Sequence, residues 1–311
     1  MTLLLTRSDL QAVLDVDECL SALRAGFRTA HTVPVPGQRI RTDLPFPGTA
    51  TALIPGVLPG VEAYTVKVNA KFPGARPALR GVICLHSGRD GELLALLDSA
   101  TVTAWRTGLA AALGTHALAR PGGAVGVIGA GAQAELMVRG LRALRDLGGL
   151  VVHDTDGACA AAFAARHGGR VVGSAPEVAA AADVVLLATW AREPLLRLAD
   201  TREGQHLTSL GADEPGKQEL AADLLQNALL VVDDRELAAR TGALAAAGLP
   251  AAAADATLGE VLRGERPGRT GGEARTVYAP VGLPWQDLAL AWAAYRRAER
   301  DGRGQRADLL A

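Results

Sequence analysis

Cysteine is scarce in this chain: Cys19, Cys84 and Cys159 are the only three among 311 residues. They show no Cys-x-x-Cys spacing, which excludes a disulfide framework and a cysteine zinc site and fits a reducing cytoplasm. An excess of charge of one sign is also missing. Lys and Arg together number 32 against 33 for Asp and Glu, a formal charge of -1. No nucleic-acid partner and no polybasic membrane contact is therefore expected. Apolar runs are broken by Gly, Asp or Arg well before ~18 residues, so none is expected to span a bilayer. The opening Met1-Thr-Leu-Leu-Leu-Thr-Arg-Ser-Asp turns polar too soon for a signal peptide. His31, His86, His116, His153, His167 and His206 show no His-Glu-x-x-His or His-x-His spacing, so no metal is expected. Gly-x-Ser-x-Gly is absent, which leaves serine hydrolysis without support, and no repeat of roughly 20–50 residues points to a solenoid.

What is present reads as two folded domains. Hydrophobic residues make up 49% and charged residues 21%, and the length fits ~100–200 residues for each domain. Residues 7–31 have Leu10, Val13, Leu14, Leu20, Leu23 and Phe27 near helical spacing, with Ser8 as a cap, and predict one amphipathic helix. Short apolar stretches at 51–54, 64–68, 81–86 and 93–97, separated by Pro and Gly clusters, predict an antiparallel, hairpin-rich sheet. An Ala-rich helix is expected over 101–119. Strand patterns follow at 124–128, 150–153, 171–172, 184–188, 206–210 and 229–232, with helices between them, including one from the glycine turn to 147 and a short one at 178–182. That alternation predicts a doubly wound parallel α/β sheet. Residues 284–300 predict a closing amphipathic helix, and the Ala-rich 235–256 reads as solvated helix and loop.

The sharpest local signal is the apolar strand 124–128 running into Gly129-x-Gly131-x-x-Ala134 and a helix. Gly129 allows a tight turn, Gly131 lets a diphosphate approach the backbone, and Ala134 permits close helix–strand packing. The next strand ends at Asp154, roughly 20 residues on, where an acid holds the adenosine ribose hydroxyls. That choice selects NAD and repels the 2′-phosphate of NADP. The plainer alternative is that Asp154 caps a helix beginning at Asp156.

Several stretches taken together resemble the ornithine cyclodeaminase/mu-crystallin family. In order they are Lys67 with Phe72-Pro-Gly, Thr103-Ala-Trp-Arg106-Thr107, Gly129-Ala-Gly-Ala-Gln-Ala, residues 182–189, Leu210-Gly-Ala-Asp213-Glu-Pro-Gly-Lys-Gln-Glu219-Leu, Leu258-Gly-Glu-Val-Leu-Arg-Gly264 and Gly282-Leu-Pro-Trp-Gln-Asp287. The resemblance implies a Rossmann domain over 119–281 and an α+β substrate and dimerisation domain over 1–118, completed by 282–311. It further implies a cytoplasmic homodimer that uses NAD(P) on α-amino acids or their imines. The dinucleotide is expected against Thr107, Gly129, Gly131, Ala132, Gln133, Asp154, Thr189 and Gly211.

Oxidising an amino acid to an imino acid requires a clamped carboxylate and an amine that gives up its proton. Arg106 is the expected clamp, since a guanidinium grips a carboxylate bidentately; the alternative is a surface arginine. Lys67 stands among apolar strand residues, where a lysine is costly unless paired. By resemblance it contacts the substrate carboxylate or imine; the alternative is a solvent-facing lysine on an edge strand. A further arginine is expected from Gln38-Arg-Ile-Arg, with Arg39 preferred over Arg41. Asp213, at the carboxyl end of a strand, matches the acid of the deaminating members; the alternative is a helix cap before Pro215. Two departures bear on substrate. Ala52 stands where the cyclodeaminases have an acid, and Ala75 where the family has Asn, which argues against a diamine unless an acid such as Glu62 takes over. Ketimine or cyclic-imine reduction, and non-catalytic binding as in mu-crystallin, stay open alternatives. Lys67, Arg106 and Asp213 occurring together argue for an enzyme.

Overall fold

The computed structural model describes residues 1–32, 40–43, 50–72 and 79–309. Two compact units emerge, one of Met1–Arg106 with Leu283–Ala311 and one of Thr107–Gly282. The first opens with β1 (Thr2–Leu5), α1 (Arg7–Val13) and α2 (Val16–Thr29). The single helix expected over 7–31 is thus two. Asp15 breaks it in an extended conformation, and its carboxylate accepts from the Glu18 amide at 3.0 Å to start α2. Ser8 lies inside α1; the cap is Thr6, in a reciprocal box with Asp9. The expected apolar stripe survives the break, with Leu10, Val13, Leu20, Leu23 and Phe27 buried.

Strands β2 (Ile40–Asp43), β3 (Ala50–Gly56), β4 (Ala63–Lys71), β5 (Leu79–Ser87) and β6 (Leu93–Asp98) pair antiparallel in sequence order. β1, not foreseen as a strand, pairs with β6 in parallel, so the sheet is mixed rather than purely antiparallel. The unit boundary then falls within α3 (Ser99–Leu118).

The second unit runs β7 (Val125–Ile128), α4 (Ala132–Leu144), β8 (Leu150–His153), α5 (Gly157–His167), β9 (Arg170–Val171), α6 (Ala175–Ala181), β10 (Val184–Leu187) and β11 (His206–Ser209). It continues with α7 (Ala222–Gln226), β12 (Leu229–Val232), α8 (Arg235–Thr241), α9 (Ala243–Ala246), β13 (Ala256–Thr257), α10 (Leu258–Arg263) and β14 (Thr276–Tyr278). All its strand pairs are parallel, in the order β13-β12-β14-β11-β10-β7-β8-β9. β7, β10 and β11 are buried at every position, as a sheet covered on both faces requires. One correction concerns neighbours: β14, unforeseen, lies between β11 and β12. The strand order reverses between β7 and β10, which puts a switch point at their carboxyl ends.

A buried polar chain runs through β11 and β14 of this sheet. Thr115, Thr208, His206 and Thr276 exchange hydrogen bonds of 2.7, 2.9 and 2.8 Å in sequence, and Arg269 donates to Thr276 Oγ1 at 2.8 Å. Burial, with Arg269 and Arg145 adding to it, pushes the His206 imidazole down to about 3.

The chain then returns to the first unit. α11 (Pro284–Asp301) packs on β3, β4, β5 and α2, with Trp285 edge-on to Phe27 at 4.9 Å between centroids. β15 (Gln305–Ala307) pairs antiparallel with β1 and closes the order β15-β1-β6-β5-β4-β3-β2. Among the described residues no helix is long and apolar enough to cross a membrane, and no cluster of His, Cys, Asp or Glu has metal-site geometry.

Candidate functional site

In the first unit, strand alternation sets the site. Thr65, Lys67 and Asn69 on β4 are buried on one face, while Val68 points the other way and is 37% exposed. Lys67 is only 1% exposed, and its Nζ donates to Asp287 Oδ2 at 2.5 Å. Asp287 Oδ1 in turn lies 3.4 Å from Arg106 Nε. Arg106 Nη1 donates to Gln286 Oε1 at 3.3 Å, an oxygen that also accepts the Leu283 amide at 3.3 Å. One buried carboxylate thus stands between two buried cations, and these three side chains carry one excess positive charge. Burying charge is costly unless every partner is in place. Here several partners are absent: Thr65 Oγ1, Ser99 Oγ, Thr103 Oγ1 and Gln286 Nε2 are buried with no hydrogen-bond partner. Ser99, Thr103 and Arg106 recur at helical spacing and so share one face of α3.

Register places Ile54 opposite Lys67 and Ala52 opposite Asn69, so both share the face that carries Lys67. Glu62 is engaged elsewhere, accepting from Arg89 Nε at 2.9 Å in an exposed ion pair. Arg41 lies in β2 opposite Ala52; Arg39 and Ala75 fall outside the described residues.

In the second unit, the glycine turn leaves β7 at the switch point. Gly129 has φ +90°, and a Cβ there would lie 2.6 Å from the Ala188 carbonyl oxygen, so only glycine fits. Gly131 is the N-cap of α4 with no side-chain cap, and a Cβ on it would meet nothing within 4 Å. The helix start, with Ala132 and Gln133 in its first turn, therefore presents open backbone N–H groups, the cradle a diphosphate fits. Asp154 does not cap α5, which is capped by Asp156. Its Oδ2 accepts from the Ala130 amide at 2.7 Å and its Oδ1 from the Asp156 amide at 2.8 Å. The carboxylate is thereby fixed to the turn and keeps lone pairs for ribose hydroxyls.

Thr189 and Gly211, after β10 and β11, are joined by a residue to which the sequence assigned no role. Glu219, fully buried, accepts from the Thr189 amide at 2.7 Å and hydroxyl at 2.8 Å, and from the Ser209 hydroxyl and Gly211 amide at 2.7 Å each. Burial pushes this carboxyl up, against the pull of those four bonds. Asp213 starts no helix among the described residues, so the capping alternative fails. Its Oδ1 accepts from Lys217 Nζ at 2.9 Å. That ammonium also lies 3.1 Å from Glu214 Oε1 and 3.9 Å from the Trp190 ring centroid. Burial draws Lys217 down, but Asp213 and Glu214 outweigh it and hold it above the ordinary lysine value. Thr107 Oγ1, on α3, is buried without a hydrogen-bond partner.

A parallel α/β unit with an open glycine turn, in a chain whose mixed-sheet unit holds a buried cationic cluster, defines a dinucleotide-binding class of fold. Comparison with known proteins narrows this. The sequence model of the ornithine cyclodeaminase/mu-crystallin family matches residues 1–302, and the chain belongs to that family. An alanine dehydrogenase of Archaeoglobus fulgidus is 30% identical over 309 residues, 96% of this chain and 95% of that protein. Among solved structures, an archaeal alanine dehydrogenase dimer with bound NAD superposes with a TM-score of 0.90, at 29% identity and 99% coverage of both chains. The Δ1-pyrroline-2-carboxylate reductase of Thermococcus litoralis, in complex with NADH and L-proline, gives a TM-score of 0.91 at 28% identity, covering 98% of this chain and 100% of that one. The expected fold class therefore holds.

Proposed function

We propose that the protein is an NAD-dependent oxidoreductase acting on an α-amino acid through its α-imino acid. The observation that carries this is the buried Lys67–Asp287–Arg106 cluster, whose excess positive charge calls for an anion. A carboxylate is the anion that every α-amino and α-imino acid shares. The bound NAD of the archaeal alanine dehydrogenase, and the NADH and proline of the pyrroline-2-carboxylate reductase, support the reading. The first unit is the substrate and dimerisation domain, and the second binds the dinucleotide.

Within the second unit Thr107, Gly129, Gly131, Ala132, Gln133, Thr189 and Gly211 hold the dinucleotide. Asp154 takes the adenosine ribose and favours NAD over NADP. When bound, the nicotinamide supplies the acceptor for the hydrogen leaving Cα with its electron pair. Arg106 and Lys67 grip the substrate carboxylate, with Arg39 or Arg41 as a further partner. Asp213 accepts the ammonium proton, which frees the nitrogen lone pair for the imine, and directs water to the imine carbon. Lys217 donates to Asp213 Oδ1 and fixes the orientation of that carboxylate. Ala52 and Ile54 offer an apolar surface on the Lys67 face, which suits an uncharged substrate side chain.

The outer face of the first unit's sheet supports a homodimer. Leu53 and Val68, direct cross-strand partners, are 44% and 37% exposed, and Phe72 and Val57 are exposed beside them in sequence. Two such faces joined about a twofold axis would bury them, and sedimentation should show a dimer at micromolar concentration. The cytoplasm, where NAD and free amino acids meet, is the expected compartment. The activity is tested by incubating the protein with a panel of L-amino acids and NAD, following NADH by its near-ultraviolet absorbance, and with 2-oxo acids, ammonia or cyclic imines and NADH in reverse. Turnover in either direction is expected. Its absence across both panels, with NADH still bound, would overturn the reading.

A further inference from the structure

Asp287 stands where two cations would otherwise repel. Lys67, Arg106 and Asp287 are 1%, 6% and 2% exposed. Each oxygen of the one carboxylate faces a different cation, Lys67 Nζ at 2.5 Å from Oδ2 and Arg106 Nε at 3.4 Å from Oδ1. Without it, two buried like charges would splay apart or one would shed its proton. Its sequence neighbour Gln286 receives Arg106 Nη1 at 3.3 Å, so the first turn of α11 bonds one edge of the guanidinium and sets a carboxylate near the other, where Arg106 Nε and Asp287 Oδ1 are in ionic contact without a hydrogen bond. That turn is itself anchored, with Trp285 against Phe27. A resident acid weakens a site built only to attract anions, so its presence needs another reason.

We propose that Asp287 is the positioning residue of the carboxylate clamp: it aligns Lys67 with Arg106 and offsets one of their two positive charges. The proposal rests on the reading of Lys67 and Arg106 as that clamp. It also gives the C-terminal helix a part in substrate recognition, beyond covering the sheet.

Calorimetric titration of the full chain with propionate, a carboxylate without an amine, reads the clamp alone. Lys67→Met leaves Arg106 neutralised by Asp287, and propionate binding should fall about 100-fold. Adding Asp287→Asn to Lys67→Met restores one excess positive charge, and binding should recover to within about tenfold of the unmodified protein. A residue that only supports the fold cannot produce this rescue. Lys67→Met with Asp287→Ala is measured alongside, with circular dichroism melts of every variant. The proposal is overturned if neither double variant binds propionate better than Lys67→Met alone, or if Lys67→Met folds and neither double variant does. Failure of the underlying clamp reading has a different signature. Propionate would then bind equally with and without Lys67, or not bind the unmodified protein at all, and the proposal would fall with it.

Discussion

Replacing Glu219 by glutamine keeps the shape of the side chain and removes one acceptor. Oε1 takes the Thr189 amide and hydroxyl, and Oε2 takes the Gly211 amide and the Ser209 hydroxyl, all at 2.7–2.8 Å. Each oxygen thus meets one backbone N–H and one hydroxyl, so neither orientation of the new amide escapes a clash. The hydroxyl facing the NH2 group can rotate and accept; the backbone N–H cannot. A buried donor left unmatched costs about 1–3 kcal/mol, and the two surviving bonds lose the benefit of a charged acceptor, about 1 kcal/mol each. Relief of desolvation runs the other way, since burial has raised the Glu219 carboxyl and glutamine carries no charge. A net loss of about 2 kcal/mol is expected, or ~4–8 °C in the melt of a unit this size. Because Thr189 and Gly211 lose their common anchor, NADH affinity should fall roughly tenfold as well. Circular dichroism melting and calorimetric NADH titration read the two effects. A melt within about 1 °C of the unmodified protein, with unchanged NADH affinity, would refute the assignment of Glu219 as the link between these two loops.

Other outcomes follow from the same geometry. His206 is held neutral by burial, down to about 3 from an ordinary 6.5, so its contribution is fully present above pH 6.5 and is lost as pH falls toward 3. The unmodified protein should lose about 2 kcal/mol more than His206→Gln between pH 6.5 and 5, read from urea melts; parallel stability curves would contradict this. NADH should bind more tightly than NADPH, and Asp154→Ser should narrow the gap while weakening NADH, because Asp154 also ties down the Ala130 amide. Tighter NADPH binding by the unmodified protein would be the opposite result. Asp213→Asn should lower turnover by ~10²–10⁴-fold with nucleotide affinity intact; near-normal turnover in both directions would leave imine reduction with another proton donor as the better mechanism.

Most of the parallel sheet was legible because strands such as β10 and β12 are continuous apolar runs and its glycine turn has few physical alternatives. The first unit was less so. β1 and β15 are short strands of four and three residues, too short for alternation to register. The break at Asp15 was hidden because Val13 and Leu20, seven residues apart, keep helical spacing across it, while the capping of the Glu18 amide by Asp15 that begins the second helix is a local event. At the site, Lys67 and Arg106 stood out as cations in apolar or motif settings, and their meeting through Asp287 did not. An acid in the first turn of a helix is what the helix dipole favours anywhere, so Asp287 carried no distinctive signal until α11 was seen on β4. Glu219 was hidden differently: it lies only ten residues beyond Ser209 but thirty beyond Thr189, and which loops converge on it is a property of strand order.

The central claim is that Cα–H of an amino acid is delivered to NAD while Arg106 holds the carboxylate. It is tested most directly by supplying Cα-deuterated L-amino acids with NAD and measuring deuterium in NADH and product by mass spectrometry. The account predicts that deuterium leaves Cα for the nicotinamide with at least one amino acid, and that Arg106→Met abolishes the transfer at ordinary substrate concentration. Retention of all deuterium at Cα, or transfer undiminished in Arg106→Met, would contradict it.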